Sequence, residues 1–223
     1  MTERHTRRGP GRPSANGPTP PTDEEILTHG LAAFVELGYD GASMRELARR
    51  LGVSHNFIND RYGSKLAFWQ AVVDHALEDV TRSLAPVLHP EAAAVDDAAR
   101  LTAVVRRFYE ISARTPLLNQ LMMEESHRAS ERLDYLVERY IGPTLAAVQP
   151  SVQRLVDSGR MPPTPIYMLY AAVIGPVIAM TGNPMMAKLG QPADRQESEM
   201  VARANELARV ILDGMLGPRP PAL

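Results

Sequence analysis

Apolar residues recur every three or four positions through most of the chain, and no sustained two-residue alternation occurs, so the pattern predicts an all-α protein. Thr22 and Glu25 stand as a capping box, followed by Ile26, Leu27, Leu31, Phe34 and Val35 on one helical stripe. Gly38, within "LGYDG", is placed to close that helix. Ser43 and Glu46 form a second capping box, opening a helix with Met44, Leu47, Ala48 and Leu51 inward. Gly52 permits a sharp turn, Val53 packs beneath it, and Ser54 is placed to cap a third helix whose inward residues are Ile58 and Tyr62. Three short helices around a tight turn predict a helix-turn-helix unit over residues 22–66.

Helical patterns then run over about 64–84, 95–114, 116–129, 131–156, 165–180 and 194–216, separated mostly by proline or glycine. Pro143 and Pro150 fall inside the fourth of these and are expected to kink or split it. The layout predicts a second helical domain over 67–217 and a short C-terminal tail over 218–223. Residues 1–21 read as a disordered basic tail: five prolines and three glycines oppose regular structure, and Arg4, Arg7, Arg8 and Arg12 face only Glu3. Its "RGPGRP" resembles the Arg-Gly-Arg-Pro element of A·T-rich minor grooves, with Pro-Gly inserted. A solvated tail and a minor-groove arm both fit.

Composition narrows the classes. Hydrophobic residues make up 44% of the 223 and charged residues 22%, as in an ordinary water-soluble chain. Cysteine is absent, which excludes a disulfide framework, a thiolate metal site and a Cys nucleophile, and fits a cytoplasmic location. The stretch 161–187 is uncharged, but its apolar part, 166–180, is interrupted by Gly175 and Pro176 and falls short of the roughly 20 residues of a membrane span, so burial in a core or subunit interface is expected. The net charge of −2 hides an uneven distribution: between Gly41 and Lys65 there are five basic residues and two acidic ones.

On a helix through 54–62, with Ile58 inward, Asn56 and Asp60 point almost directly away from the core, flanked by Phe57 and Asn59. His55, Asn56 and Asn59 are short hydrogen-bonding side chains; Asn reads adenine, a carboxylate accepts from cytosine N4, and Phe57 can rest on a thymine methyl. General attraction to a polyanion would come from Arg45, Arg49, Arg50, Arg61, Lys65 and the tail, with helix starts at Ser43 and Ser54 offering amides to phosphate. Asp60 is either a solvated charge paired with a neighbouring cation or a group that repels sites lacking a donor. Elsewhere, Glu124 and His127 make a single Glu-x-x-His, a solvated face or a pocket polar group, without the second pair a dimetal site needs. No metalloprotease, nucleophile-elbow, phosphate-loop or dinucleotide motif occurs, so an enzyme is not expected, and neither a cofactor nor a metal is implied.

Residues 26–77 resemble the TetR family of transcriptional regulators, through Phe34, Gly38 with Tyr39, Ser43, Leu47 with Ala48, "GVS" at 52–54, the aromatic Tyr62, and Ser64 with Lys65. The resemblance implies a three-helix DNA-binding domain plus a C-terminal helical ligand-binding and dimerisation domain. It implies that His55, Asn56, Phe57, Asn59, Asp60 and Arg61 approach bases, and that Ser43, Ser54 and Lys65 lie near phosphates; Arg45 and Tyr62 complete the set. Asn59 and Asp60 depart from the family's usual aromatic and neutral or basic residues, which points to an unusual operator.

The same resemblance implies a homodimer joined through the last two helices, double-stranded DNA with an inverted-repeat operator as partner, and a small apolar effector that releases it, most simply from repression. Pocket candidates are Phe108, Leu118, Met122, Met123, His127, Tyr135 and Tyr170, each of a residue type that also serves as plain core. The alternative expectation is an architectural or activating DNA-binding protein without a ligand response.

Overall fold

The computed structural model describes residues 21–88, 96–180, 184–192 and 196–217. The expected tails, 1–21 except Pro21 and 218–223, lie outside the described residues, and so does any minor-groove arm. The described residues form helices and no strand.

Helix α1, Asp23–Gly41, starts as the capping box requires: Glu25 N donates to Thr22 Oγ1 at 3.2 Å and Thr22 N to Glu25 Oε2 at 2.7 Å. Thr22 N, together with the Thr22 hydroxyl donating to the same oxygen at 3.1 Å, holds the Glu25 carboxyl below its ordinary range. Its regular run closes at Gly38 (φ 67°), and one further turn reaches Gly41. Helix α2, Met44–Arg50, has only half of its expected box. Ser43 Oγ accepts from Glu46 N at 3.1 Å, but the Glu46 carboxylate turns to Arg49 and Arg50, because two guanidiniums one turn on outbid a backbone amide. Helix α3, Phe57–Tyr62, begins later than Ser54; Asn56 is its N-cap and no side chain caps it.

Helix α4, Lys65–Leu88, follows, then α5, Asp97–Arg114, α6, Pro116–Ser126, and α7, Glu131–Leu136. Phe68, Trp69, Val72 and Val73 of α4 are fully buried in one cluster with Ile26, Phe34, Leu47 and Ile58 of α1–α3, joined by Leu118, Leu121 and Leu136. The three-helix unit therefore shares its core with the first three turns of α4. Gly30 is what lets α1 come close: a Cβ there would stand 2.7 Å from Val72 Cγ2 and 3.0 Å from Phe68 Cζ.

After α7 comes a π-helical segment, Val137–Ile141, then α8, Gly142–Asp157. Pro143 was expected to kink this run, and the π segment is the form the kink takes. The proline offers no N–H to the Arg139 carbonyl, and Gly142 N bonds instead to Val137 O, one residue further back than in an α-helix. A Cβ on Gly142 would lie 2.9 Å from Val137 O, so the wide turn needs glycine. Pro150 does not split α8, which continues past it with the ring exposed.

Helix α9, Ile166–Ile174, gives way at Gly175 to a 3-10 turn, Gly175–Met180, earlier than the expected end. A short helix the pattern did not reveal, α10, Pro184–Lys188, precedes α11, Glu197–Met215. Ala204, Ala208 and Leu212 of α11 pack on Leu101, Val105 and Tyr109 of α5, with Leu155 of α8 and Leu169 of α9. Among the described residues no helix is long and apolar enough to cross a membrane.

Gly30→Ala should destabilise the protein by about 1–3 kcal/mol, since the methyl meets side chains locked in a full core. Urea unfolding of the full chain reads this directly; an unchanged midpoint would show that Val72 and Phe68 yield without cost.

Candidate nucleic-acid interface and buried cavity

Helix α3 is anchored by Ile58, fully buried, and by Tyr62, whose ring lies 4.9 Å from that of Phe68. With that anchor, His55, Asn56, Asn59, Asp60 and Arg61 are exposed on the outer side, together with Ser43, Arg45 and Ser54. Phe57 differs from the expectation of a free ring: it is half-buried against the core. His55 Nδ1 and Asn56 Oδ1 lie 3.2 Å apart.

The cations behave differently from the count in the sequence. Arg49 and Arg50 pair with Glu46, and Arg50 also with Glu36. The two guanidiniums draw Glu46 down to about 2, and Arg50 lowers Glu36 as well. Arg61 pairs with Asp23 at the start of α1. Lys65 donates to the Tyr39 carbonyl at 2.9 Å and sits 4.2 Å from the centre of that ring, so it ties α4 to α1 instead of standing free for phosphate. Arg45 is the cation of this stretch whose side chain has neither a hydrogen bond nor an ion pair among the described residues. The Asp60 side chain is exposed and likewise has no hydrogen bond or ion pair with a described residue; its neighbour Arg61 is taken by Asp23.

Tyr39 also receives a second cation. The Arg132 guanidinium of α7 lies 3.8 Å from its ring centre, held by both Glu125 oxygens at 2.9 Å. The Glu125 and Arg132 side chains are only 8% and 13% exposed, so this is a largely desolvated pair. Beside it Arg128 reaches Asp40 at 3.4 Å. The turn between α6 and α7 is thus fastened to the end of α1. Nothing in the local sequence flagged Glu125 or Arg132, because they lie seven apart across a helix break and share no stripe.

Behind this region lies a cavity of about 300 Å³. Its walls are Leu77, Val80, Leu84 and Leu88 of α4, Val104 and Phe108 of α5, Val148 of α8, and Tyr170 and Val173 of α9, with Met122 of α6 and Arg139, Tyr140 and Ile141 from the π segment. Of the seven candidates, Phe108, Met122 and Tyr170 are on the wall. The other four lie elsewhere. Leu118 is buried in the core shared by α1 and α4, and Met123 is half-buried outside the lining. His127 is exposed, its Nδ1 at 2.6 Å from the Met123 carbonyl. Tyr135 stands with its ring edge-on to Trp69 and donates to Asp74 Oδ1 at 2.6 Å, as Tyr140 also does. Burial, and then donation to Asp74, push both phenols above their ordinary range.

Fold and surfaces together define a helix-turn-helix protein whose body encloses an apolar cavity. Residues 26–72 match the family model described as bacterial regulatory proteins, tetR family. The transcriptional activator FasR of Mycolicibacterium smegmatis is 31% identical over 110 residues, covering 47% of this chain and 49% of that protein, so the match spans about half the length of that relative. SCO3833 of Streptomyces coelicolor, a member of the TetR regulator family, superposes with a TM-score of 0.63 at 21% identity over 89% of this chain and 93% of its own. AibR, solved in complex with isovaleryl coenzyme A and operator DNA, gives a TM-score of 0.65 at 15% identity over 88% of this chain and 100% of its own. Residues 26–72 carry the helix-turn-helix module that this family model describes. The first two of these relatives are described as transcriptional regulators.

Glu125→Gln should cost about 3 kcal/mol, because it leaves the Arg132 guanidinium desolvated without a counter-charge. The loss is measured by chemical unfolding; a change below about 1 kcal/mol would mean that the Tyr39 ring alone suffices to hold Arg132.

Proposed function

We propose that this protein is a sequence-specific DNA-binding transcription regulator, which engages an inverted-repeat operator as a homodimer and leaves it when a small apolar molecule fills the cavity. One observation carries the reading: α4 completes the core beneath α3 with Phe68 and Trp69 and walls the cavity with Leu77, Leu84 and Leu88. A molecule in the cavity that prefers another placement of α4 must then disfavour the DNA-binding arrangement of α3. Nearly complete release needs a preference of roughly 5 kcal/mol between the two states. The complex of AibR with both an acyl thioester and operator DNA supports the pairing of these two ligands on one such fold.

Dimerisation is supported by α9, where Tyr167 and Met168 are 69% and 51% exposed with Ala171, Ala172 and Gly175 beside them. An apolar stripe of that kind belongs against a partner, and the same helix in a second copy supplies one by two-fold symmetry. Site residues in this reading are His55, Asn56, Asn59, Asp60 and Arg61 toward bases, with Ser43, Arg45 and Ser54 toward phosphate and Phe57, Tyr62 and Lys65 holding the helix in place. Repression follows from occupancy of a promoter. The second reading, activation, is favoured by the role in the name of the smegmatis relative.

Selection of bound duplexes from a random pool at moderate salt should enrich an inverted repeat with half-sites about one helical turn apart. An A·T-rich preference with no repeat would overturn the dimeric base-reading assignment. Removing the unpartnered carboxylate by Asp60→Ala should strengthen binding to random DNA more than binding to the selected site, where a mismatch opposite it costs about 1–3 kcal/mol. Equal gains on both duplexes would make Asp60 a bystander.

A further inference from the structure

The cavity is apolar almost throughout, yet Arg139 is on its wall, and among the described lining residues Arg139 is the one that carries a charge. It stands where the π segment brings Arg139, Tyr140 and Ile141 to the cavity together. Its side chain is 57% exposed, so the guanidinium is placed where the wall meets solvent and not in the apolar interior. Thr81 and Thr144 add hydroxyls to the lining.

Arg139 does have a carboxylate near it, but the contact is loose: its Nε lies 3.6 Å from Asp74 Oδ1. That oxygen is held much more closely by two phenols, Tyr135 and Tyr140, each at 2.6 Å. Asp74 therefore keeps two hydrogen bonds if Arg139 turns to another anion. Arg139 Nε also donates to the Tyr140 hydroxyl at 3.3 Å, and a guanidinium engaged only through Nε, beside an otherwise apolar chamber, is complementary to a molecule with one anionic end.

We infer that the cavity's ligand is an amphiphile with an apolar tail and a single anionic head, whose head pairs with Arg139 at the mouth while the tail fills the chamber between α4, α5 and α9. This deepens, and rests on, the assignment of the cavity as the effector site. The reverse orientation is excluded, since an anion buried among Leu84, Val104 and Val148 would lose its hydration with no counter-charge to replace it. A cationic ligand is disfavoured because it would face Arg139 directly. The anionic head is supplied equally by a carboxylate or by a phosphate ester, and the shared chemistry is what Arg139 reads.

Calorimetric titration of the full-length protein with octanoate, octyl phosphate and octanol tests this. Octanoate or octyl phosphate should bind more tightly than octanol, and the tighter of the two identifies the head. Arg139→Gln should weaken the anionic ligands about tenfold or more while leaving octanol unchanged, as expected for loss of a charged hydrogen bond. If octanol binds the unsubstituted protein as tightly as both anions, or Arg139→Gln weakens all three alike, the head-group assignment is overturned and the cavity remains an effector site for neutral molecules. If none of the three binds, the effector-site reading falls, and this inference with it.

Discussion

The arrangement depends on α4 being one rigid helix shared by two cores. Its first three turns bury Phe68, Trp69, Val72 and Val73 against α1–α3, and its last two bury Leu84 and Leu88 against α5 and α8. Leu77 belongs to both the first core and the cavity wall. Interiors packed this densely do not deform gradually, so a displacement at one end of α4 is expressed at the other as a movement of the helix. Gly30 sharpens the constraint, because it brings α1 within contact of Val72 and leaves no slack for α1 to stay behind.

The outer side of α3, proposed to meet DNA, is less basic in the fold than in the sequence. Counted as sequence, residues 41–65 are clearly basic; in the fold, Glu36, Glu46 and Asp23 take up Arg50, Arg49 and Arg61. Exposed pairs of this kind are weak, about 0–1 kcal/mol each, so phosphate can compete for the same guanidiniums. Lys65 is different, being held by both the carbonyl and the ring of Tyr39. The face is thus tempered in its general attraction while its polar side chains, Asn59 and Asp60 above all, remain open. Such a balance favours discrimination between sequences over indiscriminate binding.

Much of this could be read from local sequence where the cause is local. The Thr22 and Glu25 box and the inward Ile58 and outward Asp60 each depend on residues within a few positions of one another. Where a competitor lay just outside the pattern, the reading slipped: Glu46 preferred two arginines to its own helix start, and Ser54 was bypassed for Asn56. Pro143 announced a distortion, but only the pairing of Gly142 N with Val137 O says which one. The cavity was legible least. Met122 lines it and Met123 does not, and Tyr170 lines it while Tyr135 bonds Asp74, because a helix turns adjacent or similar side chains to different neighbours. Contacts such as Arg132 with Tyr39, or Arg139 with Asp74, join residues more than sixty apart and leave no periodic trace.

Trp69 draws these long-range contacts into one argument. It is fully buried, with Tyr39 edge-on at 6.5 Å and Tyr135 edge-on at 6.3 Å. Tyr39 is fixed by Arg132 and Lys65, and Tyr135 by Asp74. Both fastenings involve α7 or the π segment that continues it, and the Tyr140 phenol of that segment shares Asp74 with Tyr135. Helix α7 is therefore attached at its start to the end of α1 and at its far end to α4, with the indole between. A ligand that moves the π segment cannot do so without loading Asp74, and hence α4. A ligand in the cavity also touches α4 itself through Leu77, Leu84 and Leu88, and by either route differential affinity for the two states is the sole means by which occupancy can change the equilibrium.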